Sequence, residues 1–170
     1  MIYEPREDSF LLQKNIKKFV KLDGKVLDVG TGSGIQAEEA RKYCEYVTAV
    51  DINPEVIAYC KKKFDNIKIV ESDLFSNVTG KFDLITFNAP YLPEDDREPT
   101  DSRVATTGGK NGDEISVRFL TEAKKHLNEN GKIFLLVSSL TPMDKINEFK
   151  PVVVSKTGIF GEELIILEIR

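Results

Sequence analysis

The stretch KVLDVGTGSGIQAEEARKYCEYVTAVDI, residues 25–52, decides the fold. KVLDVG (25–30) is an apolar run of strand length that ends on glycine. GIQAEEARKYC (34–44) has the composition of a helix, and YVTAVDI (46–52) is a second apolar, β-branched run. A strand, a helix and a strand in close succession read as parallel strands joined by a helical crossover.

The same alternation continues in both directions. Upstream, Phe10, Leu11, Leu12, Ile16 and Phe19 predict a first helix at roughly 8–20. Downstream, Asn53 caps a helix with Pro54 in its first position. That helix carries Val56, Ile57, Tyr59, Cys60 and Phe64. IKIVES (67–72) and FDLITF (82–87) are the third and fourth strands. A long polar connection follows, and connections of that length in a compact domain usually carry function. Asp113 then caps a helix whose Ile115, Phe119, Leu120, Ala123 and Leu127 share one face. GKIFLLVS (131–138) is a fifth strand, and Thr141-Pro142 opens a short helix. Two strands near 151–156 and 160–169, separated by a few residues including Gly158, form a hairpin. The expectation is an α/β fold with helices on both faces of a seven-stranded, mostly parallel sheet and an antiparallel C-terminal hairpin strand.

Composition limits the function classes. At 170 residues the chain is expected to form a single domain, 1–170, with residues 1–22 as N-terminal segment and helix. Its net charge of −4 argues against a whole-protein nucleic-acid footprint. KNIKKF and CKKKF are lysine clusters on predicted helices, and solvated helix faces explain them. Cys44 and Cys60 are too far apart for a metal-binding pair, and His126 is the only histidine. No metal site is expected. His126, late in its helix, is expected to be a solvated surface residue. The chain lacks a signal-peptide pattern and an apolar run of membrane-spanning length, so a cytoplasmic protein is expected.

The candidate site lies at the strand ends. LDVGTGSG (27–34) places Gly30, Gly32 and Gly34 between the first strand and its helix, where backbone can approach a ligand. A tight turn alone would also account for these glycines. The dinucleotide fingerprint needs a glycine at position 35, which is Ile35, and no lysine follows as in a phosphate-binding loop. Three acids follow successive strands. Asp28 stands beside the loop, where a carboxylate can hold an ammonium group. Asp51 ends the second strand, about 20 residues on, where an acid accepts from ribose hydroxyls. A helix cap is the other role open to Asp51, but Asn53 fills it better. Asp73 follows the third strand. An ammonium, a ribose and an adenine amine along one crevice describe S-adenosylmethionine better than a phosphate ligand.

The motifs VLDVGTGSG, VDINPE, SDLF and FDLITFNAPYLP, across residues 26–93, resemble class I S-adenosylmethionine-dependent methyltransferases in order and spacing. YEPREDSFLL (3–12) and TTGGKNGDE (106–114) are similar to the HemK-like branch, in its short archaeal and eukaryotic form. That branch methylates the glutamine of the Gly-Gly-Gln motif of class 1 release factors. The resemblance implies a three-layer Rossmann-like methyltransferase fold with S-adenosyl-L-methionine as cofactor. It implies that the Gly30–Gly34 backbone passes the methionine moiety, with Asp28 near its ammonium. Asp51 would bind ribose, Ile52 would pack on adenine, and Asp73 with the backbone near Leu74 would recognise the adenine edge. Ser9 falls where the branch has Ser or Thr, so it is placed to touch the cofactor carboxylate; capping the first helix is the alternative. The resemblance further implies a small zinc-binding activator subunit near the third strand, an expected edge where strand addition is feasible.

The family tetrapeptide is Asn-Pro-Pro-Tyr; here it is Asn88-Ala89-Pro90-Tyr91. An amide nitrogen is a poor nucleophile, because its lone pair is delocalised. The site must hold its two N–H groups and aim that lone pair. The Asn88 side-chain oxygen and the main-chain oxygen of Ala89 supply the two acceptors, and Tyr91 packs beside the planar group; Asn88 is also expected among the cofactor-binding residues. Ala89 keeps the main-chain acceptor and, preceding Pro90, stays biased to extended backbone. What it loses is the ring's restriction of φ, worth about 0.4–1 kcal/mol. Within a substrate-side loop, 88–112, the connection 93–112 is expected to line the acceptor channel and to order on substrate binding; a merely mobile surface loop is the alternative. The competing substrate is an exocyclic amine of adenine or guanine in RNA or DNA, since the same tetrapeptide serves those reactions. A vestigial, non-catalytic binding subunit is the other class; an intact Asp28, Asp51, Asp73 and Asn88 set argues against it.

Overall fold

The computed structural model describes residues 2, 4–93 and 106–170. Its elements run α1 (Glu7–Ile16), β1 (Lys25–Val29), α2 (Ile35–Arg41), β2 (Tyr46–Asp51), α3 (Pro54–Lys63), β3 (Lys68–Glu71) and β4 (Phe82–Asn88). Then come α4 (Glu114–Ala123), a 3₁₀ turn (Lys124–His126), β5 (Leu127–Ser138), α5 (Asp144–Asn147), β6 (Val152–Ile159) and β7 (Glu162–Ile169). One seven-stranded sheet has the order β3-β2-β1-β4-β5-β7-β6. Strands β1 to β5 pair in parallel, and β7 runs antiparallel between β5 and β6.

The apolar runs of the sequence exist because the sheet is buried on both faces. In β5, Ile133, Leu135 and Val137 join one core with Phe119 and Leu120 of α4. Phe134 and Leu136 join the other, with Leu12 and Ile16 of α1 and Ala37 and Ala40 of α2. In β1, Val26 enters the second core while Leu27 and Val29 enter the first. Asp28 sits at the buried end of that pattern.

Several local features depart from the sequence expectation, among them Leu127, which opens β5 instead of joining the face of α4. The first helix stops at Ile16, where Lys18 N and Phe19 N turn back to the carbonyls of Asn15 and Ile16. Phe19 leaves the helix to pack edge-on against Phe134, with ring centroids 4.8 Å apart. Asp113 occupies the N-cap of α4 but makes no side-chain cap; its Oδ2 faces Lys145 Nζ at 3.3 Å. Gly158 lies inside β6, paired with Glu163, and the hairpin turns instead at Phe160 and Gly161, both at positive φ. His126 is half-buried in the 3₁₀ turn, where its ring stacks on Phe75 at 4.8 Å and Nδ1 lies 3.0 Å from the Gly80 carbonyl.

β1 lies between β2 and β4, so the chain leaves it in one direction and returns on its other side. That reversal opens a crevice at the carboxyl ends of the strands, where open α/β sheets bind ligands.

Candidate functional site

A cavity of about 430 Å³ occupies this crevice, a volume suited to a small-molecule cofactor. Its wall includes Asp28, Gly30, Gly32, Asp51, Ile52, Asp73, Leu74 and the Asn88–Tyr91 tetrapeptide, with Ser9 arriving from α1. Of the glycines, Gly34 does not line it. Gly34 precedes α2 at φ 80°, and a Cβ there would collide with the Phe64 ring. Its lack of a side chain serves the packing of the loop on α3. Gly30 is held similarly, since a Cβ would meet Phe87 at 2.9 Å.

The acids have distinct environments. Asp28 is 1% exposed. Its carboxylate accepts from Thr31 Oγ1 at 2.6 Å and Thr86 Oγ1 at 3.0 Å. Burial outweighs these bonds and pushes its pKa from 3.8 up to about 6. Asp51 accepts from Gly32 N at 3.0 Å and Asn53 N at 2.9 Å, so it ties the glycine loop to the end of β2. Burial raises its pKa as well. It is not a helix cap: Asn53 Oδ1 accepts from Glu55 N at 2.9 Å and does that work. Ile52 is half exposed on the wall. Leu74 takes φ 48°, rare for a branched side chain, with its carbonyl accepting from Ser72 Oγ at 2.9 Å. Asp73 pairs with Arg118 Nη2 at 2.8 Å.

Ser9 does not cap α1, because the helix starts two residues earlier, behind Arg6. Ser9 Oγ donates to Asp8 Oδ1 at 3.2 Å, and the Ser9 carbonyl accepts from Gln36 Nε2 at 2.8 Å. Asn88 ends β4 and donates from Nδ2 to Asp8 Oδ2 at 3.0 Å. Its Oδ1 is buried and has no hydrogen-bond partner, as is Oε1 of Gln36. Ala89 is 2% exposed and joins the core around Phe87. Tyr91 is half-buried beside the α1 core, and its phenol is pushed up to about 12, chiefly by burial and then by the nearby Asp8 carboxylate.

The far end of the expected acceptor channel is pinned on this tetrapeptide. Leu92 N donates to the Thr106 carbonyl at 2.9 Å and Gly108 N to the Leu92 carbonyl at 2.8 Å. A Cβ on Gly108 would meet Pro90 O at 2.5 Å, and one on Gly112 would meet Tyr91 O at 2.8 Å. Glu114 gathers Asn111 N at 3.1 Å and Gly112 N at 3.1 Å, which closes the turn just before the helix that Asp113 was expected to cap. Residues 94–105, the middle of the connection, lie outside the described residues, as does Tyr3 of the N-terminal motif.

Among the wall residues not expected from the sequence are Asp8, Gln36 and Arg118. Arg118 had a signal, for it lies three residues after Ile115 and so shares its helix face. Asp8 sat inside a motif already singled out. Gln36 had none. Chemically the wall is rich in acceptors: two buried carboxylates and two partnerless amide oxygens. Arg118 is the one cation among its described residues. A ligand that brings N–H and O–H donors fits this wall, and a polyphosphate does not. An ammonium, ribose hydroxyls and an adenine amine are such donors, so the residues fit S-adenosylmethionine.

The family described as "Methyltransferase small domain" matches residues 7–160. A relative from Methanocaldococcus jannaschii, named provisionally as a protein N5-glutamine methyltransferase, is 45% identical over 158 residues, 88% of this chain and 79% of its own. The release factor glutamine methyltransferase of Lactococcus lactis is 32% identical over 125 residues, 65% of this chain and 46% of its own. The chain thus spans about half the length of that bacterial relative. Among solved structures, the E. cuniculi Mtq2–Trm112 complex, described as responsible for methylation of the termination factor eRF1, aligns with a TM-score of 0.75. It covers 98% of this chain and 96% of the other at 24% identity, a likeness of fold.

Proposed function

The chain belongs to the methyltransferase small-domain family, and from that premise we propose that it methylates a side-chain amide nitrogen, the glutamine of Gly-Gly-Gln in a class 1 release factor. The observation that carries this is Asn88 Oδ1, a buried acceptor without a donor at the end of β4. Leaving such an atom unpaired costs about 1–3 kcal/mol, which a ligand N–H offsets. One N–H of the glutamine amide goes to Asn88 Oδ1 and the other to the Ala89 carbonyl, and Tyr91 packs on the amide plane. Held so, the nitrogen lone pair has one direction left.

S-adenosylmethionine, when bound, supplies an electrophilic methyl: the nitrogen lone pair forms the new N–C bond while the electrons of the C–S bond return to sulfur. Asp28 would neutralise the ammonium of the bound cofactor, Asp51 would take its ribose hydroxyls, and Ile52 with the Leu74 backbone would flank its adenine. After transfer the nitrogen sheds one proton to water. No histidine base is called for, and His126 lies stacked on Phe75.

A small zinc-binding activator adds along β3, which closes one edge of the sheet. The reaction takes place in the cytoplasm, with the release factor; among the described residues no helix is long and apolar enough to cross a membrane. The test is incubation with methyl-labelled cofactor and a cognate release factor, with and without the activator. Label enters the release factor and is lost when the Gly-Gly-Gln glutamine becomes alanine. Label in RNA or DNA instead would assign the competing nucleobase-amine substrate.

A further inference from the structure

We propose that Asp8 is a positioning residue that sets which end of the Asn88 amide faces the acceptor. This rests on the reading of Asn88 given above. An amide has a donor end and an acceptor end of nearly equal shape, so packing alone cannot orient it. A carboxylate accepts only. Asp8, 5% exposed, therefore binds the Nδ2 end of Asn88, at 3.0 Å, and leaves Oδ1 as the end without a partner. Asp8 is itself fixed. Its Oδ1 accepts from Ser9 N at 2.6 Å and from Ser9 Oγ at 3.2 Å, which turns Oδ2 toward Asn88. The acid sits in the first turn of α1, where the helix dipole favours it. The polarity of the proposed clamp is thus written 80 residues away from it.

Substitution by an isostere separates this role from packing. In Asp8→Asn the new side chain still needs an oxygen toward Ser9 N, because that backbone N–H is fixed. Its amide nitrogen must then face residue 88. Asn88 turns over to offer Oδ1 to it, and a donor replaces the acceptor at the substrate amide. In Asn88→Asp, two carboxylates face each other. In the double variant Asp8→Asn/Asn88→Asp, the amide nitrogen introduced at position 8 donates to one oxygen of the carboxylate introduced at position 88. The other oxygen of that carboxylate is again a partnerless acceptor. The swap restores the polarity of the native pair.

The experiment measures kcat and KM for the release factor, S-adenosylmethionine affinity by calorimetry, and the side-chain amide signals of residue 88 by NMR. Asp8→Asn is expected to lower kcat by about 100-fold or more, the scale of losing one preorganised polar contact. Cofactor affinity should change by less than about threefold, since neither residue's polarity-setting bond involves it, a difference of at most about 0.7 kcal/mol. The double variant should exceed both single variants in kcat by at least about tenfold, or roughly 1.4 kcal/mol. Wild-type turnover in Asp8→Asn, or a double variant no better than the more active single, overturns the proposal. If the wild-type protein methylates no glutamine, the functional reading fails and the NMR arm still decides this one. The Asn88 amide protons, identified by their loss in Asn88→Asp, should exchange slowly in the wild type and lose protection in Asp8→Asn. Unchanged shifts and exchange in Asp8→Asn would refute an Asp8-set orientation.

Discussion

Asp28 shows how a residue at this site trades stability for charge. Its carboxyl titrates at 3.8 ordinarily and at about 6 when folded, because burial disfavours the charged form. Well below pH 3.8 the group is neutral in both states and costs nothing; the loss of stability builds as pH rises from 3.8 to about 6 and reaches up to roughly 3 kcal/mol above that. Asp28→Asn should therefore stabilise the protein against urea by about 1–3 kcal/mol at pH 8 and by nothing at pH ~3.5. Equal stabilities at both pH values would show that burial of charge is not the cause. Ala89 is the second informative residue. Its proposed contact is main-chain, so Ala89→Pro should keep turnover within about threefold while stiffening the loop by about 0.4–1 kcal/mol. A large loss in a folded Ala89→Pro variant, read by single-turnover methylation, would show that the tetrapeptide is held differently.

At the scale of elements, the 106–112 segment is the informative one. Its motif was legible in the sequence, but the reason for its glycines was not. Gly108 is small because a Cβ there would run into the Gly112 carbonyl and into Pro90 O, and Gly112 because Tyr91 O passes within 2.8 Å of where its Cβ would stand. The segment thus packs against the tetrapeptide, with Thr106 and Thr107 on the cavity wall beside it. Gly108→Ala should cost about 1–3 kcal/mol of stability through overpacking against backbone. It should lower kcat for the release factor while sparing cofactor affinity, since Asp28 and Asp51 hold their places from β1 and β2. Calorimetry showing lost cofactor binding in a folded Gly108→Ala variant would contradict this division. The strands and most helices were readable because burial imposes its own period on apolar residues. Asp113 misled because an acid before a helix looks like a cap, whereas tertiary contact with Lys145 takes its carboxylate elsewhere.

At the scale of the whole molecule, the sheet joins two cores that hold opposite walls of one site. The α1 core carries Asp8 and Ser9 toward the cavity, and Phe134, fully buried against Phe19, is its largest contact on β5. Phe134→Ala should destabilise the protein by about 3–5 kcal/mol in denaturant titration. A cost below about 1 kcal/mol would mean that α1 is not docked through this ring. Local chemistry by itself determined the alternation of strands and helices, the acids at the strand ends and the Asn-Ala-Pro-Tyr turn, because periodicity and turn preference act over a few residues. Only the tertiary structure decided that Asp8 meets Asn88, that Arg118 meets Asp73 and that Gln36 reaches Ser9. Those pairs depend on strand order and on how helices dock across the sheet, and burial against distant partners sets both.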